Sequence, residues 1–205
     1  VERCGALGSR ATFDVSGKTI VVDVPLVGRH NVDNAACALA VAHALGLDLD
    51  AAARGLERAR PATHRSEVVT VAGRRVLLDC YNANPASMRA AVATLVELAA
   101  GGVAVAVLGD MLELGDSAVA EHRALGRFIG ERGVTRVVGV GELGAEIVAG
   151  LPAGANAQRV SDATEAAQAL VAATHPGDWI LIKASRKMAL ERVVDSWRAL
   201  VEASD

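Results

Sequence analysis

The chain has 205 residues, of which 52% are hydrophobic and 22% charged, and its formal charge is −3. That size and apolar content suit one domain, or one and a fraction, and exclude a disordered chain. The slight acidic excess gives no general pull toward nucleic acid or an anionic membrane, and without a run of ~18 apolar residues no membrane span is expected.

Residues 11–15 and 19–24 read as two short strands joined by a turn at Ser16-Gly17-Lys18. The string Ser16-Gly17-Lys18-Thr19 is not a phosphate loop. Thr12 stands where that loop needs glycine, and Ile20-Val21-Val22 is strand-like where a helix should follow. A helix is predicted over 31–46, with Asn31 as N-cap and Gly46 closing it, and a shorter one over 50–58. Pro61 breaks the chain, which places a domain boundary at 59–63.

Strands then alternate with helices. A hairpin over 67–72 and 75–79 turns at Ala72-Gly73, and Pro85 opens a helix to about 99. Strand 103–108, helix 117–131, strand 135–140, helix 142–149, strand 158–160, helix 162–173, strand 179–183 and helix 188–201 follow. This order predicts an α/β fold of right-handed βαβ units, with helices on both faces of a mostly parallel sheet. With only 2% aromatic residues, the core is built of Ala, Val and Leu, which such a sheet accommodates. Cys4, Cys37 and Cys80 are odd in number and widely spaced. They read as reduced thiols of a cytoplasmic protein, with no metal site among them. The start, Val1-Glu2-Arg3-Cys4, has no signal-peptide pattern and no Met, and suggests a processed, truncated or engineered chain.

In open α/β sheets ligands bind at the carboxyl ends of the strands. Those ends carry Asp79 with Tyr81-Asn82-Ala83-Asn84, then Gly109-Asp110, then Ser161-Asp162, then Lys183-Ala184-Ser185-Arg186-Lys187. Lys183, Arg186 and Lys187 beside Ser185 can hold an anion near a helix N-terminus. Asp79 can accept from a sugar diol or cap the next helix, and Arg65 can meet a phosphate or remain a solvated linker residue. His30 and Asn31-Val32-Asp33-Asn34 open a helix, and their amides can cap it or read the edge of a base. Glu113, Glu121 and His122 read as surface or capping residues. Gly139-Val140-Gly141-Glu142-Leu143-Gly144 matches a dinucleotide fingerprint, with Asp162 at the distance of a ribose-binding acid. It sits late in the strand order, where glycines can serve packing alone.

The strings GRHNVDNAACALAVAHALG (28–46), PATHRSE (61–67), DCYNANPASMRAAV (79–92), VLGDMLELG (107–115) and KASRKMALERVV (183–194) together resemble the Mur ligases. The DxYNANPxSM and LGDMxELG forms are similar to the branch that adds D-alanyl-D-alanine to UDP-MurNAc-tripeptide in peptidoglycan precursor synthesis. The resemblance implies a Rossmann-like C-terminal domain over 61–205, preceded over 1–60 by the tail of a central ATP-binding domain. It also implies that the chain is a fragment, inactive alone. The N-terminal domain, the phosphate loop and the ligands of Mg²⁺ would belong to the rest of the enzyme.

Further expectations come with the resemblance. The activity is ATP-driven amide formation through an acyl phosphate, with UDP-MurNAc-tripeptide and D-alanyl-D-alanine as substrates. His30, Asn31 and Asn34 would face adenine, and Asp79 the ribose. Arg65 would reach the γ-phosphate as a catalytic group. Asn82 and Asn84 would shape the nucleotide or acyl-phosphate side. Lys183, Ser185 and Arg186 would lie near the incoming dipeptide, with Lys183 also catalytic. Two departures stand out: the family's Gly-Arg is His64-Arg65 here, and its Lys-Gly-Ser is Lys183-Ala184-Ser185. A nicotinamide-type dinucleotide domain and a non-catalytic module descended from a ligase are the alternatives.

Overall fold

The computed structural model describes residues 3–5 and 8–202, the side chains of residues 3 and 4 aside. The chain divides into two compact units, Val1–Ala62 and Thr63–Asp205.

In the first unit, β1 (Arg3–Gly5), β2 (Gly8–Val15) and β3 (Lys18–Val24) form an antiparallel sheet in that order. Val15 pairs with Lys18 around Ser16 and Gly17, both at positive φ, which is the two-residue turn that matches strand twist. Along β3 every second residue is buried. Ile20, Val22 and Val24 pack against Ala35, Leu39 and Ala42 of α1 (Arg29–Ala44) and Leu49 and Ala53 of α2 (Leu49–Leu56). Helix α1 begins two residues before the expected start. Gly28, at φ +97, is its N-cap, so Asn31 is not the cap but lies in the first turn. The exit is as expected. Gly46 is left-handed, its N–H bonds the His43 carbonyl at 2.9 Å, and the Leu47 N–H bonds that of Ala42 at 2.9 Å.

The second unit holds a six-stranded sheet made from β4 (Glu67–Val71), β5 (Arg74–Asp79), β6 (Ala104–Leu108), β7 (Arg136–Val140), β8 (Ala157–Val160) and β9 (Trp179–Lys183). Their spatial order is β4-β5-β9-β6-β7-β8, and only the β4–β5 hairpin is antiparallel. Central strands β6 and β9 are buried along their whole length, as their unbroken apolar runs require. Five helices cover the sheet: α3 (Pro85–Ala99), α4 (Ala118–Gly130), α5 (Gly141–Ala149), α6 (Ala163–Ala173) and α7 (Arg192–Glu202). Val76, Leu78, Val105, Val107, Ile180 and Ile182 cluster with α6 and α7 residues, Trp197 among them. Their in-between neighbours Leu77, Ala106 and Leu181 point to the opposite face. There α3 packs on β6 and β9 and touches α4, which in turn touches α5.

The connection β8–α6–β9 returns from the sheet edge to its middle, so the helices that follow β5 and β6 leave to one face and the helix that follows β9 to the other. That reversal makes the carboxyl ends of these three strands a topological switch point of the sheet. The last helix begins at Arg192, not 188. A 3₁₀ turn, Arg186–Met188, and left-handed Ala189 (φ +47) come first. The basic run 183–187 therefore does not sit at a helix N-terminus. Cys37 and Cys80 are free thiols, and the Cys4 side chain lies outside the described residues. Among the described residues no helix is long and apolar enough to cross a membrane.

Candidate active site

At the end of β9 Lys183 is only 1% exposed, and its ammonium is held inside the protein. It donates to Asp79 Oδ2 at 2.6 Å and to the Asn82 carbonyl at 2.8 Å. Parallel pairing of β5 and β9 sets Asp79 directly beside Lys183. The other Asp79 oxygen accepts from the Ser66 N–H at 3.2 Å, and the Tyr81 N–H bonds the His64 carbonyl at 3.1 Å. One buried cation thus pins two loops, 63–66 and 79–84. Lys183 is expected beside a bound dipeptide, but it lies inside the wall, behind Asp79. It holds that carboxylate in place and presents nothing to solvent.

Arg65 stands between His64 and Ser66, both left-handed at φ +58 and +49. The glycine usual at position 64 would adopt that conformation without strain, whereas histidine adopts it at a cost. The exposed Arg65 guanidinium lies over the Tyr81 ring, 3.7 Å from its centroid. Asp79 keeps one lone pair on each oxygen, and its side chain retains 16% exposure, so a hydroxyl can still reach it. Asn82 Oδ1 accepts from the Ala83 N–H at 2.8 Å, and the Asn82 side chain is exposed. Asn84 is the N-cap of α3. Its Oδ1 accepts from the Ser87 N–H at 2.9 Å, while Ser87 Oγ accepts from the Asn84 N–H at 3.1 Å.

Ser185 is also buried. Its hydroxyl accepts from the Leu112 N–H at 2.9 Å and its N–H bonds the Asp110 carbonyl at 3.0 Å. Its hydroxyl therefore clamps the 109–112 loop, where a substrate contact is expected. Arg186 is exposed and ion-paired with Glu191 Oε1, and His64 Nδ1 lies 4.0 Å from that same oxygen. Burial pushes the Glu191 carboxyl up. Hydrogen bonding and charge from Arg186, with its own backbone N–H and His64, outweigh burial and hold it below its ordinary value. Cys80 lies beneath this rim. Burial first, then the Glu191 and Asp79 carboxylates, push its thiol far above the usual range, so it is an inert core group.

The structure thus brings Arg65, Asp79, Asn82, Asn84, Lys183, Ser185 and Arg186 to one edge of the second unit. His30, Asn31 and Asn34 share the first turns of α1 in the other unit. Asn31 donates to the Val27 carbonyl at 2.9 Å and accepts from the Asn34 amide at 3.2 Å, with Asn34 exposed. Sequence reasoning passes over Glu191, although an acid five residues beyond Arg186 is a visible hint. His122 is fully buried and not a surface group. Its Nε2 accepts from the Met111 N–H at 2.8 Å, and its Nδ1 lies 2.6 Å from the Ala118 carbonyl, to which it donates.

The dinucleotide reading of Gly139–Gly144 does not survive. Asp110 Oδ1 accepts from the Gly144 N–H at 2.9 Å and lies 3.0 Å from where a Gly141 Cβ would be, so a carboxylate already fills the pyrophosphate seat. A Cβ on Gly139 would meet the Gly144 carbonyl at 2.2 Å, so that glycine serves close packing. Asp162, the expected ribose acid, caps α6 through the Thr164 and Glu165 N–H groups. Among the described residues no three His, Cys, Asp or Glu side chains gather as a metal site.

A strand-end cluster of this kind, on a mostly parallel sheet entered by an antiparallel hairpin, agrees with the family comparison. Residues 64–186 match the Mur ligase, glutamate ligase domain, and the chain belongs to the Mur ligase family. It is 38% identical over 186 residues to the UDP-N-acetylmuramoyl-tripeptide--D-alanyl-D-alanine ligase of Bacillus subtilis, covering 89% of this chain and 41% of that protein. The Escherichia coli protein of the same name is 36% identical over 198 residues, 95% of this chain and 42% of that one. A crystal structure of MurF from Acinetobacter baumannii superposes with a TM-score of 0.87 at 31% identity, over 96% of this chain and 43% of that one. The chain thus spans about two fifths of the length of these relatives.

Proposed function

We propose that the chain is the part of an ATP-dependent ligase that closes on nucleotide and amine, joining D-alanyl-D-alanine to UDP-MurNAc-tripeptide in cytoplasmic peptidoglycan precursor synthesis. Residues 1–60 are then the tail of a central ATP-binding domain and 61–205 a C-terminal Rossmann-like domain. The remaining domains supply the phosphate loop, the Mg²⁺ ligands and the UDP-substrate site. The observation that carries this reading is the Lys183–Asp79 node. In a chain 38% identical to such a ligase, it fixes an arginine and a half-open carboxylate at the sheet's switch point.

A carboxylate is a poor electrophile. Transfer of the γ-phosphoryl group to a tripeptide carboxylate oxygen releases ADP and leaves an acyl phosphate. The dipeptide nitrogen then attacks the acyl carbon, phosphate departs, and the amine gives up a proton. Phosphoryl transfer rests on positioning and charge neutralisation. Arg65, held on Tyr81, meets charge on the transferring group. Asp79 accepts from the ribose hydroxyls, and Asn34, with His30 and Asn31, meets the adenine edge. Asn82 and Asn84 border the nucleotide and acyl-phosphate side. Arg186 offers the dipeptide carboxylate a cation.

In the full-length enzyme, Asp79→Ala is expected to weaken binding of a non-hydrolysable ATP analogue roughly tenfold or more, with a smaller change in the dipeptide KM. Unchanged analogue binding would sink the ribose assignment. Arg65→Ala lowers kcat, and a full-rate variant removes Arg65 from the chemistry.

A further inference from the structure

Glu191 lies within the string KASRKMALERVV (183–194) but takes no role from the resemblance, and three features single it out. Its side chain is only 15% exposed. Its Oε1 serves two basic groups from distant parts of the chain, Arg186 just after β9 and His64 just before β4. Its Oε2 is buried with no hydrogen-bond partner among the described residues. A half-satisfied buried carboxylate is costly, and a surface ion pair returns little stability. Arg186 itself is 54% exposed, so without an anchor its guanidinium would sample many rotamers. The charged and titratable groups facing Glu191 are Arg186, His64 and the neutral thiol of Cys80.

We propose that Glu191 is a positioning residue: its carboxylate fixes the Arg186 guanidinium toward the amine-substrate side and tethers the His64–Arg65 loop to the same point. The inference rests on the assignment of Arg186 to the dipeptide carboxylate. A planar guanidinium gripped on one edge by Glu191 keeps its other N–H groups for an incoming carboxylate. The same carboxylate ties the dipeptide side of the rim to the loop that carries Arg65.

The test is a double-variant cycle in the full-length ligase, read against NMR of the 205-residue chain. Glu191→Gln is expected to raise the dipeptide KM about tenfold, leaving the ATP KM within about twofold. Glu191→Asp, which keeps the charge on a shorter arm, falls between. Because Glu191 acts through Arg186, adding Glu191→Gln to Arg186→Ala has no further effect on that KM. An additive double variant, or an unmoved KM in Glu191→Gln beside a raised one in Arg186→Ala, overturns the proposal. If Arg186→Ala itself leaves the KM unmoved, the dipeptide assignment has failed, and the tether is judged by the Tyr81 amide alone. In the isolated chain Glu191→Gln is expected to speed hydrogen exchange at the Tyr81 amide, which bonds the His64 carbonyl, since the loop loses its hold on Glu191. A Tyr81 amide that exchanges equally fast in both proteins refutes the tether.

Discussion

At the scale of single residues, the main lesson is that charge type alone does not say which way a side chain faces. Lys183 and Arg186 lie three apart in one basic string, yet the first is sealed in the core and the second exposed. The last residue of a fully buried strand inherits the strand's burial, and the string carries no mark of that. Lys183→Met therefore reads as a stability change before a catalytic one. It strands the Asp79 carboxylate with a single N–H partner, and breaking such a pair from one side costs about 3 kcal/mol. A melting temperature lower by roughly 5–10 °C is expected; an unchanged one would show the ion pair to be idle. Glu191 carries a pH consequence. Its carboxyl is held below its ordinary 4.5, so the folded state binds its proton more weakly than the unfolded state does. The resulting stability is present above pH 4.5 and is lost as pH falls through the depressed value. Urea unfolding of Glu191→Gln should lose less stability than the parent between pH 5 and 3, and parallel curves would contradict the pairing.

Whole elements were legible where period and punctuation agreed. Pro85 opens α3, Gly46 ends α1, and Ala72-Gly73 turns the β4–β5 hairpin, each by a local rule that needs no distant partner, whereas the cap of α3 is Asn84 and not Asp79. The start of α7 was not legible, because Ala189 takes a left-handed conformation that alanine does not advertise. β1 is too short to show a period. Helix pairing hides in glycines of the same kind. Gly126 of α4 sits where a Cβ would lie 2.1 Å from the Ile147 carbonyl, and a Cβ on Gly150 would lie 2.2 Å from that of Arg123. Helix propensity favours Gly126→Ala by up to ~1 kcal/mol. Forcing α4 away from α5 costs more, about 1–3 kcal/mol, because backbone cannot yield as a flexible side chain does. Net destabilisation is expected, with a lower melting temperature; a rise would mean that propensity wins and the helices are not in such close contact.

For the molecule as a whole, the sheet and the order of its helices followed from alternating apolar runs, and the family strings marked the rim. Which groups on that rim touch solvent did not follow, since side-chain direction depends on partners up to 104 residues away, as for Lys183 and Asp79. The dinucleotide alternative failed for the same reason: the glycines fit the pattern, and only the fold brings Asp110 onto them. The proposed chemistry divides between what these residues hold and what they do not. Arg65 can neutralise charge and Asp79 can hold a ribose. The sequence has no GxxxxGK[ST] loop to cradle the β- and γ-phosphates, since Thr12 occupies the glycine position before Gly17-Lys18. Phosphoryl transfer depends on that cradle and on a metal between the phosphates. The 205-residue chain alone should therefore release no phosphate from ATP above background, with or without Mg²⁺ and both other substrates, while the full-length protein turns over. Steady release of ADP by the purified chain, abolished by Arg65→Ala, would show that the second unit carries more of the reaction than half of a closing site can.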